Sequence, residues 1–323
     1  MDKRIINFGI MATGRIAKSF AAAVNYVEGA KLLGVASRNL CSAMKFADEF
    51  KIPRSYQGYE EMCKDNDIDV IYIATPTACH YENVRLCFEY GKNVICEKAV
   101  TENSRELMEL ITLAKEKGLF FMEAMWMKCR PHFLQALEWF REGKIGKIKM
   151  IKSDFSSVVK FDENDRLFKK DLGASALLDV GIYPITLFTA FLGNYPEKIT
   201  SRLHTGKTGA DFDGTVTLEY GEGFATSVFG YSIENHNNCV IVGEKGRITF
   251  DDWFFCCEGV TLFDEYAQVV ERKTFSNACN GYEYEVEEVC KCLREGRLES
   301  ELIPYEDTIA TMKIMETVFS QNF

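Results

Sequence analysis

The first 123 residues alternate between short apolar runs and segments of helical periodicity. The predicted strands are Arg4–Met11, Lys31–Ala36, Asp69–Ala74, Lys92–Cys96 and Leu119–Met122, and the predicted helices are Arg15–Tyr26, Leu40–Phe50, His80–Tyr90 and Ser104–Lys117. The continuous apolar run after Asp69 is typical of a strand that is covered on both faces. Strand–helix alternation at this spacing predicts a doubly wound parallel sheet, and a ligand is expected at the carboxyl ends of its strands.

After residue 123 the pattern changes. Pro131–Arg141 is predicted as a helix, Lys147–Val159 as extended, and Ala174–Leu192 as a helix that Pro184 should kink or interrupt. Short apolar runs separated by turn residues follow up to Lys273, and two helices end the chain. We therefore predict an α/β protein with two domains, a doubly wound parallel sheet in residues 1–123 and an α+β domain with a mostly antiparallel, open-faced sheet in residues 124–323.

Composition excludes several classes of protein. The 323 residues carry 38 Lys+Arg against 48 Asp+Glu, a net charge of −10, whereas nucleic-acid binding needs a basic surface. We expect no membrane span, because no uncharged apolar stretch of about 18 residues occurs, and no signal peptide, because the apolar segment at the start is short. The 12 cysteines contain no Cys-x-x-Cys and the 4 histidines are far apart, so reduced thiols, no metal site and a cytoplasmic location are expected.

The turn after the first strand lies where a dinucleotide fingerprint belongs. Backbone amides there and the N-terminus of the following helix can accept a pyrophosphate. The usual Gly-x-Gly-x-x-Gly/Ala register falls on Ala12, Gly14 and Ala17, so the first glycine is missing. An ordinary tight turn is the alternative interpretation, but the strand–turn–helix context favours a cofactor.

The end of the second strand indicates which cofactor binds. An enzyme that uses NAD is expected to have a carboxylate there for the ribose 2′-hydroxyl, but Val35–Asn39 contains none. Arg38 can pair with a 2′-phosphate through its planar guanidinium, and Ser37 can donate to it. We therefore predict NADP over NAD, with NAD still possible, against the alternative that Arg38 is an ordinary solvated side chain.

Two later segments bring titratable groups to places where chemistry is expected. Lys98 directly follows a buried strand, which is an unusual place for a lysine that is only a surface charge. Asp179 and Tyr183 are four residues apart and would share one face of a helix. A charge at the start of a helix and a core tyrosine would give the same spacing, and the spacing alone does not reject that alternative.

Together these segments resemble the Gfo/Idh/MocA oxidoreductase family. The similarity covers nearly the whole chain and is strongest in Gly9–Ala17, Ala74–Ala99, Glu123–Trp126, Arg166–Phe168 and Gly173–Ile185. The resemblance implies a Rossmann domain for NAD(P) and an open-sheet domain through which members often form homodimers. Tyr183 stands where many members have a histidine, as in the branch of dimeric dihydrodiol dehydrogenase and glucose–fructose oxidoreductase.

The resemblance also implies site residues. Lys98 matches the lysine of the family's Glu-Lys-Pro motif, and Tyr183 matches a proposed proton donor. The substrate site would include Trp126, Phe155, Arg166 and Tyr183. The cofactor contacts would be Gly9, Ala12, Thr13, Gly14, Arg15, Ile16, Ser37, Arg38, Thr75, Pro76, His80, Glu97 and Lys98.

Two positions depart from the family pattern. Ala12 replaces the first fingerprint glycine and would lose backbone freedom if its φ must be positive. Ala99 replaces the proline of Glu-Lys-Pro. Because a cis peptide before a residue other than proline costs about 2.5–4 kcal/mol, we predict that the Lys98–Ala99 bond is trans.

The resulting hypothesis is an NADP(H)-dependent oxidoreductase. Hydride would move between the nicotinamide and a CH–OH or C=O carbon of a sugar, anhydro-sugar, polyol or trans-dihydrodiol. Tyr183 and Lys98 would handle the proton, since an ammonium lowers the pKa of a neighbouring tyrosine, and the sequence leaves open which of the two donates it. Asp179 would orient Lys98 and bond a substrate hydroxyl. The alternatives are a catalytically silent NADP(H)-binding sensor and a structural protein that only dimerises.

Overall fold

The computed structural model describes residues 4–323. The first three residues, on which the signal-peptide expectation partly rests, lie outside the described residues. The chain forms two compact units, one made of the chain up to Cys129 with Asn277–Tyr305 and the other of Arg130–Ser276 with Glu306–Phe323. The predicted domains, 1–123 and 124–323, are contiguous, and that division stays a prediction.

The first part of the chain alternates strictly between strands and helices. Its elements are β1 (Ile6–Met11), α1 (Arg15–Val24), β2 (Ala30–Ser37), α2 (Leu40–Phe50), β3 (Arg54–Gln57), α3 (Tyr59–Cys63), β4 (Val70–Ile73), α4 (His80–Glu89), β5 (Asn93–Glu97), α5 (Ser104–Lys117) and β6 (Phe121–Ala124). Short 3₁₀ segments follow β4 and β6, at Thr77–Cys79 and Trp126–Cys129.

The rest of the chain is dominated by strands. Its elements are α6 (Pro131–Arg141), β7 (Ile148–Ser156), α7 (Ile182–Leu192), β8 (Lys198–Thr205), β9 (Asp211–Tyr220), β10 (Gly223–Gly230), β11 (Cys239–Gly243), β12 (Gly246–Phe250), β13 (Gly259–Asp264), β14 (Val269–Thr274), α8 (Glu283–Glu295) and α9 (Tyr305–Asn322).

The first unit contains a six-stranded sheet in the order β3-β2-β1-β4-β5-β6. Every pair in it is parallel, as predicted. All residues of β4 are buried, which explains its continuous apolar sequence. The strand order reverses at β1 and β4, and in such sheets the crevice beyond the carboxyl ends of these strands is where ligands bind. The loops after β1, β2, β4 and β5 are therefore the ones that matter for a ligand.

The second unit contains an eight-stranded sheet in the order β14-β13-β12-β11-β7-β10-β9-β8. Only β7 and β10 pair in parallel, and the other neighbours are antiparallel. The prediction of a mostly antiparallel sheet is thus confirmed, and the α/β fold class with it. Helix α7 packs on β7 and β10, so one face of the sheet is covered by an apolar helix.

The segment before α7 is irregular where the proline predicts it. A π-helical turn spans Leu177–Gly181 and leads directly into α7, with Pro184 in the first turn of that helix. Proline has no N–H to donate, and its ring clashes with the carbonyl four residues earlier. The wider π turn therefore takes the place of a regular helical turn, and it carries Asp179.

Helix α8 explains why the first unit is built from two pieces of chain. It packs against α1 and against the 3₁₀ segment Trp126–Cys129. Most of its residues are buried, including Glu285, whose exposed fraction is 0%. The first unit is therefore completed by a helix that comes late in the sequence.

One segment among residues 4–323, Lys170–Leu192, is long and apolar enough to cross a membrane by length and composition alone. However, 83% of its most apolar window is buried inside the structure. That burial is typical of a core helix, and it agrees with the packing of α7 on its sheet.

Candidate active site

In the first unit, the turn between β1 and α1 has the backbone conformation expected at the first glycine of a dinucleotide fingerprint. Ala12 has φ 87°, a left-handed conformation that glycine adopts more readily. Gly14 is the N-cap of α1, with no side-chain cap and no acidic residue in the first turn. A Cβ atom at Gly14 would meet no atom within 4 Å. The first backbone N–H groups of α1 are therefore accessible to an anion, although Ala12 replaces the expected glycine.

Gly9 is needed for a different reason. A Cβ atom there would lie 3.0 Å from the Met62 Sδ and 3.2 Å from a methyl carbon of Ile68. Gly9 is therefore buried by close packing of β1 against its neighbours. The remaining predicted residues of this turn, Thr13, Arg15 and Ile16, are exposed or half-buried.

The loop after β2 leaves Arg38 exposed beside a capped helix. The Asn39 Oδ1 accepts from the backbone N–H groups of Cys41 at 2.8 Å and Ser42 at 3.3 Å, and so caps α2. Burial raises the pKa of Tyr59, and the positive charge of Arg38 opposes that rise. Within residues 4–323 no ion pair joins Arg38 to a carboxylate, so its guanidinium can receive an anionic ligand.

His80 links the loops that follow β4 and β5. Its Nε2 lies 2.7 Å from the Thr75 carbonyl oxygen, and its Nδ1 lies 2.9 Å from the Ala99 carbonyl oxygen. Burial lowers the pKa of His80, Lys98 acts in the same direction, and the two carbonyl contacts oppose them. The side chain is almost fully buried. His80 therefore contacts the backbone at the residue before Pro76 and at the residue after Lys98.

The Lys98–Ala99 peptide bond is cis, so the prediction of a trans bond is wrong. That prediction considered only the intrinsic preference of a residue that is not proline. In the fold, Ala99 is fully buried and its carbonyl oxygen faces His80. Tertiary contacts therefore determine the backbone at this position, rather than the residue type.

Glu97, at the end of β5, lies in a group of buried acids and phenols. Its carboxylate accepts a hydrogen bond from the Tyr72 hydroxyl, and the Tyr72 ring stacks on Phe20 with centroids 3.7 Å apart. Burial raises the pKa of Tyr72 well above its usual value, and Glu97 raises it further. Burial and the charge of Glu97 likewise raise the pKa of Glu285 in α8. Within residues 4–323 neither carboxyl oxygen of Glu285 has a hydrogen-bond partner.

Trp126 belongs to the first unit and is covered on one ring face. Its ring stacks on Tyr282 with centroids 4.2 Å apart and an angle of 7° between the planes. The residue is 7% exposed. Trp126 is therefore a fixed aromatic surface whose orientation depends on the residue that precedes α8.

In the second unit, Tyr183 lies among three other aromatic side chains. Its ring centroid is 5.3 Å from that of Phe155 and 5.1 Å from that of Phe255. Phe155 and Phe255 stack with centroids 4.2 Å apart, and Trp253 contacts both rings edge-on. We call Phe155, Tyr183, Trp253 and Phe255 the aromatic wall. Two of its members, Trp253 and Phe255, are not among the residues predicted from the sequence.

Asp179 has a partner that the sequence did not predict. The Tyr231 hydroxyl donates to the Asp179 Oδ2 at 2.6 Å. Burial raises the pKa of Tyr231 well above its usual value, the charge of Asp179 raises it further, and Arg166 opposes the rise. The structure thus brings Asp179, Tyr231 and the charge of Arg166 together, and Tyr183 lies four residues after Asp179.

The predicted residues therefore fall into two sets. The set from the first unit includes Lys98, Glu97 and Trp126, and the set from the second unit includes Asp179 and Tyr183. Within residues 4–323, no group of three or more His, Cys, Asp and Glu side chains could hold a metal ion.

Comparisons with known proteins bear on both units. Residues 6–125 match the model of an oxidoreductase family with an NAD-binding Rossmann fold, and residues 133–249 match the GFO/IDH/MocA C-terminal domain. The trans-1,2-dihydrobenzene-1,2-diol dehydrogenase of Xenopus laevis is 34% identical to this chain, over 97% of both chains. The human enzyme of the same name is 30% identical, over 97% of this chain and 96% of its own.

Solved structures give the same fold. A 3-ketoreductase from Actinomadura kijaniata, in complex with NADP and TDP-benzene, superposes with a TM-score of 0.88 at 23% identity, over 98% of both chains. A levoglucosan dehydrogenase, in complex with NADH and levoglucosan, superposes with a TM-score of 0.85 at 20% identity, over 99% of this chain and 98% of its own. The two family models and the full-length dehydrogenase relatives confirm the resemblance, and the chain belongs to the Gfo/Idh/MocA family of NAD(P)-binding oxidoreductases.

Proposed function

We propose that this chain is an NADP(H)-dependent dehydrogenase that acts on a CH–OH group of a ring-shaped diol or polyol, with Tyr183 exchanging the proton. The observation that carries the proposal is the position of the Tyr183 phenol, within an aromatic wall and four residues after the Asp179–Tyr231 hydrogen bond. Its full-length relatives are named trans-1,2-dihydrobenzene-1,2-diol dehydrogenases, which supports a cyclic diol as the substrate.

The first unit suits a dinucleotide. The uncapped N-terminus of α1 can hold a pyrophosphate between Thr13 and Ile16, and the open space at Gly14 lets the phosphate approach the backbone. Ser37 and the exposed guanidinium of Arg38 suit the 2′-phosphate that distinguishes NADP from NAD. The loops joined by His80 would then carry Thr75, Pro76 and Lys98 toward the nicotinamide end.

In this proposal, Lys98 and Tyr183 have separate roles in the proton transfer that accompanies the hydride transfer. When it is bound, the nicotinamide supplies or accepts the hydride. On oxidation, the hydroxyl proton of the substrate passes to the Tyr183 oxygen as the carbinol carbon loses its hydride, and on reduction the proton returns. A positive charge beside the reacting groups would stabilise the developing oxyanion and favour the tyrosinate form, and the family resemblance assigns that charge to Lys98. Asp179, oriented by Tyr231, binds a second hydroxyl of the substrate.

The aromatic wall accounts for the choice of substrate. Aromatic faces pack well against flat rings, and their edges against other rings, which adds roughly 0.5–1.5 kcal/mol per pair beyond burial of area. An open chain offers no such face. Phe155 and Trp126, both predicted from the resemblance, are apolar surfaces of this kind, and Arg166 adds a cation near the Asp179–Tyr231 pair.

The test is turnover with a panel of trans-dihydrodiols, anhydro-sugars, aldoses and linear diols, each with NADP⁺ and with NAD⁺. We expect the highest kcat/KM for a cyclic trans-diol with NADP⁺. Tight NADPH binding without turnover of any compound in the panel would contradict the proposed enzymatic activity and favour the catalytically silent sensor. Absence of NADPH binding would contradict the cofactor proposal as well.

The proposal extends to assembly and location. We propose a homodimer formed through the open face of the eight-stranded sheet, because its strands carry large exposed apolar side chains, among them Phe224 in β10 and Val269 and Val270 in the edge strand β14. Light scattering coupled to size exclusion should give the mass of two chains, and a single-chain mass at micromolar concentration would contradict it. The net charge of −10 and the absence of disulfides among the 12 cysteines are consistent with the cytoplasm as the proposed location.

A further inference from the structure

The loop between β12 and β13 carries half of the aromatic wall. Residues 251–258, which we call the wall loop, form neither helix nor strand, yet Phe255 is buried and Trp253 is 44% exposed. Trp253 has φ 61°, a left-handed conformation that a bulky side chain rarely adopts. Such a conformation persists only where neighbouring groups hold it in place, and it is found most often at binding sites.

Two buried side chains at the start of α6 hold the wall loop through its carbonyl groups. The Arg130 Nη2 donates to the Cys256 carbonyl oxygen at 2.9 Å and to that of Cys257 at 3.5 Å. The His132 Nε2 lies 3.0 Å from the Phe254 carbonyl oxygen. Arg130 and His132 are both 1% exposed. Three of the loop's carbonyl groups are therefore fixed from one side, at the residues that flank Phe255.

The protonation of His132 follows from these contacts. Burial lowers the pKa of His132 to about 3, and the charge of Arg130 acts in the same direction, so the imidazole is neutral near pH 7. The Arg130 Nε donates to the His132 Nδ1 over a long contact of 3.5 Å. The single ring proton must then be on Nε2, where it is donated to the Phe254 carbonyl oxygen. Arg130 thus selects the tautomer that can hold the loop.

A third side chain joins the wall loop to the strand that carries Phe155. Asn237 is fully buried, and its amide accepts from the Ser156 backbone N–H at 2.7 Å and donates to the Ser156 carbonyl oxygen at 2.9 Å. The backbone carbonyl oxygen of Asn237 accepts from the backbone N–H of Phe254 at 2.8 Å. Asn237 therefore links the end of β7 to the wall loop. It bonds to Ser156, next to Phe155, and to Phe254, next to Phe255.

We propose that Arg130, His132 and Asn237 are positioning residues that hold Trp253 and Phe255 against Phe155 and thereby set the preference for ring-shaped over open-chain substrates. None of the three is a member of the aromatic wall. The inference rests on the proposed function, because it assumes that the aromatic wall contacts the substrate.

The test compares His132→Leu with His132→Gln. The leucine fills similar space but cannot donate, whereas the glutamine amide nitrogen can occupy about the position of Nε2 and donate to Phe254. For His132→Leu we expect KM for a cyclic trans-dihydrodiol to rise at least tenfold, with KM for a linear diol and the Kd of NADPH changed less than twofold. His132→Gln should restore KM for the cyclic diol to within threefold of the unmodified protein.

The matched control is Trp139→Phe, on the same helix. It removes a partly buried hydrogen bond, from the Trp139 Nε1 to the Glu271 Oε2 at 3.0 Å, outside residues 251–258. Trp139→Phe should leave the ratio of the two KM values unchanged. If His132→Leu does not fold, Arg130→Lys takes its place, with the same expected shift in that ratio. Equal rises for cyclic and linear diols, or no rescue by His132→Gln, would overturn the proposal.

Hydrogen exchange separates this inference from the proposed function. In His132→Leu, the amides of residues 251–258 should exchange at least tenfold faster than in the unmodified protein and in Trp139→Phe, with or without any substrate. Unchanged exchange would overturn the positioning role. If the unmodified protein turns over no diol, the proposed function fails and the substrate preference with it, while faster exchange in the variant would still support the positioning of the loop.

Discussion

Both units contain a tyrosine that donates to a carboxylate, but the charges around the two pairs differ. In the first unit, Tyr72 donates to Glu97, and a second buried acid, Glu285, lies close enough for its pKa to be raised by the charge of Glu97. In the second unit, Tyr231 donates to Asp179, and the nearby charges are the cation Arg166 and, with a smaller effect, the acid Asp211. The second pair therefore has a nearby cation that offsets its acids, whereas the charge near the first pair is a second acid.

This difference separates two uses of the same hydrogen bond. Two acids in a region that excludes water cannot both ionise cheaply, so the first unit favours a proton on Glu285. A carboxylate that faces a cation and accepts from a phenol is instead held in one orientation. The first pair should affect how stability depends on pH, whereas the second should affect catalysis.

The largest expected effect comes from Tyr183→Phe, which tests whether the second unit carries the proton chemistry. Loss of a positioned proton-transfer group should lower kcat by about 10²–10⁴-fold, while the Kd of NADPH, measured by fluorescence titration, stays unchanged. Tyr220→Phe is the matched control, because the Tyr220 hydroxyl is buried in the same unit with no hydrogen-bond partner within residues 4–323. If the kcat of Tyr183→Phe is within twofold of that of the unmodified enzyme, Tyr183 is not the proton-transfer group.

A smaller effect is expected in the first unit from Arg38→Ala. Hydrogen bonds to charged groups contribute about 1.5–3 kcal/mol, so the Kd of NADP⁺ should rise about tenfold to a hundredfold, while the Kd of NAD⁺ changes little. Calorimetric titration with both nucleotides measures the two values. Arg85→Ala, which removes a half-buried arginine on α4, should change neither value. An equal weakening of both nucleotides would mean that Arg38 does not read the 2′-phosphate.

The two tyrosine–carboxylate pairs can be compared directly with Tyr231→Phe and Tyr72→Phe. Removal of the Tyr231 hydroxyl releases Asp179 from its 2.6 Å hydrogen bond, and kcat/KM for a cyclic diol should fall about tenfold, the equivalent of about 1.4 kcal/mol. Tyr72→Phe should instead lower the midpoint of urea unfolding and leave kcat/KM within threefold. If both variants lose kcat/KM equally, the distinction between the two pairs is wrong.

The parts of the fold that the sequence predicted are those whose residues are buried together. The apolar run of β4 predicts a strand because every residue in it is buried. The short strand β3 and the strand β8 were not predicted, since their exposed positions carry polar side chains and leave no apolar run. Burial on both faces thus leaves a pattern in the sequence, and a strand without an apolar run leaves little.

The candidate site shows the same limit. Motifs predicted Lys98 and Tyr183 as site residues because their neighbours in the sequence form recognisable patterns. Tyr231 is 52 positions from Asp179 in the sequence, and no local pattern joins them. The contact between His80 and the Ala99 carbonyl oxygen likewise joins residues 19 positions apart. Residues that act through contacts distant in the sequence require the folded structure.

The buried acid of the first unit should affect stability rather than activity. The pKa of Glu285 is raised in the folded state, so folding keeps a proton that the unfolded chain releases above its ordinary pKa of about 4.5. The contribution of Glu285 to stability must therefore decrease as pH rises above that value, by at most about 1.4 kcal/mol per pH unit. Glu285→Gln keeps a neutral side chain of the same shape and has no proton to lose. Urea unfolding at pH 5 and pH 8 should show the variant gaining stability relative to the unmodified protein at the higher pH.

The exposed Glu287 on the same helix provides the control, since Glu287→Gln should show a much smaller change between the two pH values. The direction of the Glu285→Gln result decides the comparison of the two units. A relative gain at pH 8 means that Glu285 is protonated in the fold, as its burial and the charge of Glu97 predict. A relative loss at pH 8 means that Glu285 is ionised and stabilised by a cation, and the first pair would then resemble the second.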